Sequence, residues 1–273
     1  MVKFKSLNLY LIIMKIKFGP GGLGGEKEVI DNLQEYHKLG LKACEVEFTY
    51  GVYLKKEKAI EIGKIAKKLG IQLSVHAPYW INLNSDDEKK IEMSKKRILK
   101  SAEIGHYLGA GKKVNIVFHC GYYQKDAKEL VYQNIKIQIK ELMKIVKEKK
   151  LSIVLCPEII GKKNVFGSIE EISCLVNETG CGFCIDFAHV LARYGEHQFE
   201  LLKKSFKQKH WHCHFSGIEW GEKGEKKHID TTSAHWKSLF DKLPRDKDIV
   251  IISEAPSPIK DAAEGLEIFK GMK

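Results

Sequence analysis

The chain has 273 residues and 44% of them are hydrophobic, which suffices for a sizeable core and suits a single α/β barrel. The net charge is +11, and its lysines are spread over nearly every predicted helix. This leaves a solvated lysine-rich surface and a nucleic-acid footprint equally open. Most of the seven cysteines lie in apolar patterns, which indicates buried reduced thiols and a cytoplasmic location.

The first thirteen residues precede any clear element. Ser6 to Ile13 is apolar, but it is far shorter than the roughly 20 residues that span a membrane. Lys3 and Lys5 precede this run as in a signal peptide, yet no small-residue cleavage site follows. We expect 1–13 to be an N-terminal extension or a mis-assigned start, and 14–273 to form one domain.

Strand and helix patterns then alternate eight times. Short apolar, β-branched runs predict strands at 15–19, 43–48, 71–76, 113–119, 151–158, 181–186, 209–215 and 248–254. Amphipathic periodicity predicts helices near 26–39, 55–69, 86–109, 124–149, 168–178, 197–207, 232–242 and 261–271. Ser85 with Glu88, and Ser168 with Glu171, fit N-terminal capping boxes.

Eight strand–helix units predict a single-domain α/β fold, the (β/α)8 TIM barrel, with its active site at the C-terminal strand ends. An open doubly wound sheet would need a glycine-rich phosphate turn after the first strand. The run 19–25 is glycine-rich, but its spacing fits that turn poorly and Pro20 sits awkwardly in it. We interpret it as a first βα loop whose backbone approaches a substrate phosphate.

Seven of the eight predicted strands end at a candidate ligand. In chain order these residues are Glu47, His76, His119, Glu158, Asp186, His214 and Glu254. His189 follows Asp186 by three residues, and His228 lies in a loop after the seventh strand. Imidazole and carboxylate without thiolate suit zinc, manganese or iron, and the ligands outnumber what one ion needs. A bridging carboxylate would hold two ions, as in two-metal phosphodiester chemistry.

The remaining histidines and cysteines favour structural roles. His210 and His212 share a strand face with His214 but lie earlier, so we interpret them as barrel-interior or ligand-supporting residues. Glu47 alone is also better explained as a supporting carboxylate. Cys181 and Cys184 fall within one predicted strand, where alternation separates their faces and favours core positions over a metal site. The histidines predicted on helix surfaces or in helix packing are His37, His106, His197 and His235.

Two motifs resemble those of the endonuclease IV family of apurinic/apyrimidinic endonucleases, within the xylose isomerase-like TIM barrel superfamily. Residues 74–84, SVHAPYWINLN, resemble its H-x-x-Y-x-I-N-L segment, and residues 186–189, DFAH, resemble its D-x-x-H. His119, Glu158, His214 and Glu254 fall in the matching order, and the resemblance covers about 15–273.

The resemblance implies two or three Zn²⁺ ions, with Mn²⁺ as the other candidate. It would place His76, His119 and Glu158 on the first ion, and make Glu158 the bridging catalytic carboxylate. The second ion would be held by Glu158 together with Asp186, His214 and Glu254, and the third by His189 and His228. Tyr79 matches an aromatic residue that members of the family press into damaged DNA.

One position departs from the family pattern. The family's third zinc uses a D-x-H motif after the seventh strand, where this chain has Lys226 two residues before His228. Glu225 or Asp230 would then have to supply the carboxylate, or else the third site is weak or empty. Lys226 itself would be able to contact phosphate as a point charge.

The resemblance implies metal-assisted hydrolysis of the phosphodiester 5′ to an abasic site in duplex DNA. We expect a monomer with no membrane partner. The strongest alternative is a single-metal sugar isomerase or epimerase of the same superfamily, for which Glu158, Asp186, His214 and Glu254 would suffice. A non-enzymatic metal-storing or nucleic-acid-binding barrel ranks last, because it would leave eight ligand-type residues idle.

Overall fold

The structure is a computed structural model that describes residues 15–272. The elements in the first half of the chain are β1 (Lys15–Pro20), α1 (Val29–Lys38), β2 (Ala43–Glu47), α2 (Lys56–Leu69), β3 (Gln72–His76), α3 (Glu88–Leu108), β4 (Val114–Phe118) and α4 (Lys128–Glu148). They continue with β5 (Ile153–Pro157), α5 (Ile169–Thr179), β6 (Ile185–Asp186), α6 (Phe187–Tyr194), α7 (Phe199–Ser205), β7 (His210–Phe215), β8 (Gly217–Gly221), β9 (Gly224–Ile229), α8 (Ser233–Lys242), β10 (Asp248–Ser253) and α9 (Pro258–Gly271).

Eight of these strands form the barrel wall. One half has the parallel order β2-β3-β4-β5, and the other has the order β1-β10-β7-β6. Two parallel bridges join the halves, Gly21 to Glu45 beside β1 and β2, and Glu158 to Cys184 beside β5 and β6. The predicted TIM barrel is confirmed, and the C-terminal ends of its strands open on one face.

Buried side chains fill the space between the barrel and the surrounding helices. An aromatic group of Phe18, Trp236, Phe240 and Phe269 packs where α8 and α9 cover β1, with ring centroids 5.2–6.0 Å apart. The six cysteines predicted to be buried are buried free thiols. Among the described residues, no helix combines the length and apolar character needed to cross a bilayer.

The structure differs from the sequence prediction in several boundaries. The strand predicted at 181–186 is only Ile185–Asp186, so Cys181 and Cys184 precede it rather than lie within it. The extra helix α6 starts directly after Asp186, whose side chain caps it by accepting a hydrogen bond from the His189 amide. Asp87, not Ser85, caps α3, whereas the capping box of Ser168 and Glu171 is confirmed.

A β-hairpin was also missed. The segment after β7 was predicted to be a loop, but it forms the antiparallel pair β8 and β9, so His228 lies on a strand. The two-residue connection between Gly221 and Gly224 is the sequence signal that would have identified the hairpin. The predicted extension at 1–13 lies outside the described residues.

Candidate metal centre

A cavity of about 540 Å³ in the C-terminal mouth of the barrel is lined by four of the strand-end residues, Glu47, His76, His119 and Glu254. His76 and His119 come from the ends of β3 and β4, and His189 comes from the first turn of α6. Glu254 follows β10, while Glu225 and His228 reach the cavity from β9. The ligand-type side chains therefore come from both halves of the barrel and from the hairpin.

The first group consists of His76, His119 and Glu158. The Glu158 Oε2 atom lies 3.2 Å from His76 Nε2 and 3.0 Å from His119 Nε2. His76 Nδ1 lies 2.8 Å from the Ala77 carbonyl, and because a carbonyl only accepts, Nδ1 carries the proton. Nε2 is therefore the ring nitrogen that faces the site, where it would be the metal donor.

The second group consists of Glu158, Asp186, His214 and Glu254, whose ligand atoms all lie within 4.8 Å of one another. His214 Nδ1 is 3.3 Å from Glu158 Oε1 and 3.0 Å from Glu254 Oε1. Each oxygen of Glu158 thus faces a different group, which is the arrangement of a bridging carboxylate. Its side chain is 1% exposed, so solvent does not compete for these oxygens.

The third group is organised around His189. Its Nδ1 atom lies 3.0 Å from the Ile159 carbonyl and therefore carries the proton, which directs Nε2 to the opposite side. On that side, His228 Nε2 is 3.3 Å away and Glu225 Oε2 is 3.4 Å away. Asp186 lies near His189 Nδ1 instead, so we assign Asp186 to the second group and Glu225 to the third.

A β-bulge in the hairpin explains why Glu225 reaches the site. Glu219 pairs with Lys227 and Trp220 pairs with Glu225, so Lys226 is an extra residue with no opposite partner. The bulge resets the alternation and places Glu225 on the same face as His228. Lys226 and Lys227 lie near Glu219 instead, with Nζ to carboxylate distances of 3.7 and 3.3 Å. Lys226 does not line the cavity, and its role as a substrate contact stays a prediction.

Two glycines allow the hairpin to lie against the loop after Glu158. A Cβ atom on Gly224, where φ is +94°, would meet the Gly161 carbonyl at 2.1 Å. A Cβ atom on Gly161 would meet the Glu225 side chain at 2.8 Å. The Lys163 amide also donates to the Lys223 carbonyl across this contact. Any larger residue at either position would push Glu225 away from His189.

The electrostatics of the site indicate a missing positive charge. Burial alone would raise the pKa of Glu158, but His119 and His214 outweigh it and hold that pKa well below its usual range. Burial would lower the pKa of His76, but its hydrogen bond to Glu158 raises it to about 9. Asp186 and Glu158 similarly hold the pKa of His189 well above normal. Without a metal, protons on the histidines must balance the buried carboxylates.

The donor set fits divalent cations. Glu158 Oε1, Asp186 Oδ2 and His214 Nδ1 are buried and have no hydrogen-bond partner among the described residues. Buried polar atoms left unpaired are costly, and ion coordination would satisfy all three. Cys184 lies near His214, where burial raises the pKa of its thiol well above normal. Nitrogen and oxygen donors alone suit zinc or manganese.

All eight predicted ligands lie in these groups, and the other predicted residues are distributed around them. Tyr79 is 51% exposed at the mouth, with its ring centroid 6.0 Å from that of His76. Glu47 lines the cavity without joining a group, and burial together with Glu254 raises its pKa to about 7. The histidines that bond to main-chain atoms away from the groups are His37, His106, His197 and His235.

Several site residues were missed or misplaced by the sequence prediction. His210 is not a barrel-interior residue, because it lies at the exposed start of β7 beside Asp248. His212 is buried in the interior, where it contacts Glu45. Nothing in the alternating pattern of β2 distinguished Glu45 from Glu47. Lys162 lines the mouth from the loop after β5, where no periodic pattern marks it.

Comparison with known proteins agrees with this architecture. The family model described as "Xylose isomerase-like TIM barrel" matches residues 33–272. The uncharacterized protein MJ0133 of Methanocaldococcus jannaschii is 36% identical over 242 residues, covering 82% of this chain and 86% of that protein.

Solved structures show the same fold at low identity. The crystal structure of SacUVDE has a TM-score of 0.73 and 15% identity, covering 95% of this chain and 99% of that chain. A D-tagatose 3-epimerase-like protein has a TM-score of 0.69 and 18% identity, covering 94% and 96%.

Proposed function

This chain belongs to the xylose isomerase-like TIM barrel family, and we propose that it is a metal-dependent endonuclease that cleaves DNA at abasic sites. The observation that carries the proposal is the set of outer ligands. His76 and His119 meet one oxygen of Glu158, while His189, His228 and Glu225 form a separate group. A single-metal sugar enzyme needs none of these five outer residues.

The residues at the mouth also suit a long, charged substrate. Tyr79, Trp80, Tyr122 and Trp220 are exposed on loops or on the hairpin at this face. Exposed aromatic rings stack on unpaired bases, and an abasic nucleotide is cheap to unstack. Lys162 is exposed and lines the cavity beside them, where it would meet a phosphate.

In this proposal each group has a separate task. Bound divalent ions would supply Lewis-acid stabilisation of the charge that develops on the phosphate oxygens. Glu158 joins the groups and sets their separation, since its two oxygens face different histidines. The Ile159 and Ala77 carbonyls fix the proton positions of His189 and His76, so that Nε2 of each ring faces the site. Tyr79 keeps its proton, because partial burial of its phenol beside Glu47 and Glu254 raises its pKa to about 12.

SacUVDE and the D-tagatose 3-epimerase-like protein share this fold, so the fold alone does not distinguish an endonuclease from an epimerase. A sugar epimerase is therefore the second candidate, and the compact quartet of Glu158, Asp186, His214 and Glu254 is the observation that favours it. The number of bound ions separates the two. We expect two or three Zn²⁺ or Mn²⁺ ions per chain for the endonuclease, and one for the epimerase.

The test is incision of a duplex that carries one abasic site, with protein loaded in turn with Zn²⁺, Mn²⁺ and Co²⁺. We expect strand cleavage by the native chain and a loss of at least about 100-fold in Glu158→Gln and His119→Ala. The matched control is His210→Ala, a histidine at the exposed opposite end of β7, which should cleave normally.

The same protein preparation is offered ketohexoses and followed by NMR. Absence of incision with all three metals, in protein shown to be loaded, would exclude the endonuclease. Epimerisation of a sugar under those conditions would establish the second candidate instead.

A further inference from the structure

Glu45 lies in the barrel interior, one side-chain layer below the ligands. It precedes Glu47 by two residues on β2, so both side chains point to the same side of the strand. Glu47 reaches the mouth, whereas Glu45 is 0% exposed. A carboxylate buried this deeply persists only if its charge is matched by neighbours.

Two histidines of β7 lie against this charge, and each of them contacts one of the two Glu45 carboxylate oxygens. Glu45 Oε2 accepts a hydrogen bond from His212 Nε2 at 2.8 Å. Glu45 Oε1 lies 2.8 Å from His214 Nε2. His212 and His214 are two residues apart and share the inward face of the strand, so one carboxylate spans two successive layers of the barrel.

The contact decides which nitrogen of His214 faces the ion. Nε2 lies 2.8 Å from Glu45 Oε1, and neither atom has a hydrogen-bond partner among the described residues, so the negative charge of Glu45 favours the proton on Nε2 and leaves Nδ1 as the metal donor. Nδ1 is the atom that lies 3.0 Å from Glu254 Oε1 and 3.3 Å from Glu158 Oε1. The negative charge of Glu45 also makes the His214 ring a stronger donor.

The hydrogen bond from His212 holds the carboxylate in place. His212 is 3% exposed and makes no contact with the ligand groups other than through Glu45 and His214. Without it, Glu45 Oε2 would be a buried charged atom with no donor, and the carboxylate would be free to rotate away from His214. His212 and Glu45 therefore together fix the orientation of His214 from the interior side of the barrel.

We propose that Glu45 is a positioning residue of the metal centre, which fixes His214 with Nδ1 toward the second ion and is itself fixed by His212. The proposal rests on the metal centre of the proposed function, but it does not depend on the substrate. It predicts that one ion, the one bound by His214, is held less tightly when Glu45 loses its charge.

The experiment compares Zn²⁺ affinity, by chelator competition, in the native chain, Glu45→Gln and His212→Asn. We expect Glu45→Gln to weaken one ion by about 10–100-fold and to leave the others unchanged. His212→Asn should weaken the same ion by a smaller factor. With Co²⁺ in place of Zn²⁺, the visible absorption of that ion should change in both variants, because the orientation of His214 changes.

The matched control is Asp248→Asn, which removes a carboxylate that lies 3.4 Å from His210 at the exposed end of the same strands. It should bind Zn²⁺ as the native chain does. If Glu45→Gln lowers only the melting temperature and leaves the affinity and spectrum of every ion unchanged, Glu45 is a core residue and the proposal is overturned. Loss of one ion's affinity without any DNA incision by the native chain would support this proposal while rejecting the endonuclease.

Discussion

Glu158 is the residue at which the ligand groups meet. Its Oε2 atom faces His76 and His119, and its Oε1 atom faces His214 and His189. His119, His214 and His189 hold its pKa low despite burial, so it stays ionised. Around it, single residues decide how many ions the mouth can hold.

Glu225 decides the third group. We expect Glu225→Gln to bind one ion fewer per chain, because His189 Nε2 would lose the carboxylate that lies 3.4 Å away, while Glu254 Oε2 lies 3.9 Å from His228 Nε2. Metal analysis after dialysis measures the count. Lys226→Asp is the matched control, and its count should be unchanged because that side chain lies near Glu219. A higher count in Lys226→Asp would show instead that position 226 lacks a needed ligand.

The raised pKa of His76 predicts a pH dependence in the metal-free protein. The folded-state pKa of about 9 exceeds the ordinary histidine pKa of 6.5. The stabilisation that protonated His76 provides is therefore complete below pH 6.5 and is lost as the pH rises through about 9. We expect the free energy of unfolding to fall by on the order of 3 kcal/mol over this range.

Urea unfolding at several pH values measures the effect. His76→Asn should show a flatter profile, and so should the zinc-loaded protein, because the ion replaces the proton. A profile for metal-free His76→Asn as steep as that of the native chain would assign the titration to another group.

At the scale of elements, α6 both supplies a ligand and holds a loop. His189 occupies its first turn, and Arg193 follows one turn later. Arg193 Nη1 donates to the carbonyls of Ile160, Lys162 and Val165, at 2.7–3.1 Å. The loop that follows Glu158 and supplies Lys162 is thus attached to the helix that supplies His189.

We expect Arg193→Met to lower the free energy of unfolding by about 2–4 kcal/mol, since three carbonyls would lose a charged donor. Urea denaturation measures it, and limited proteolysis should detect exposure of 158–167. Arg97→Met is the control, because Arg97 donates to the single Trp80 carbonyl at the surface and should cost less than about 1 kcal/mol. Equal effects of the two substitutions would refute a specific role for Arg193.

At the scale of the whole molecule, the net charge of +11 acts on any polyanionic partner. We expect the affinity of Glu158→Gln for abasic duplex DNA to fall by about 100-fold between about 50 and 200 mM salt, as for a contact with about four phosphates. Fluorescence anisotropy measures it, and the substitution prevents cleavage during the measurement.

Replacing Lys162 by an uncharged residue should reduce the slope of log affinity against log salt concentration by about one unit. The control replaces Lys144 by the same uncharged residue, because the Lys144 side chain is 76% exposed near Glu148 on α4. If salt has no effect on affinity, the mouth does not bind a nucleic-acid backbone.

The sequence by itself determined the barrel and named most of the candidate ligands that the structure brings together. Buried parallel strands need apolar, β-branched runs, and a ligand at the end of such a run must point into the mouth. For that reason His76, His119, Asp186 and His214 were predictable from local pattern alone. The boundaries of the strands and helices were less predictable. Strand β6 has only two residues because Asp186, at its end, caps the helix α6 that follows directly.

Only the tertiary structure decided the residues whose role depends on long-range register. Glu225 reaches His189 because a bulge at Lys226 shifts the alternation of β9, and because Gly161 and Gly224 permit close approach. Glu45 is distinguished from Glu47 only by His212 and His214, about 167 residues further along the chain. Local periodicity assigns a side chain to a face, but the layer and the partner it meets are set by how distant strands pair.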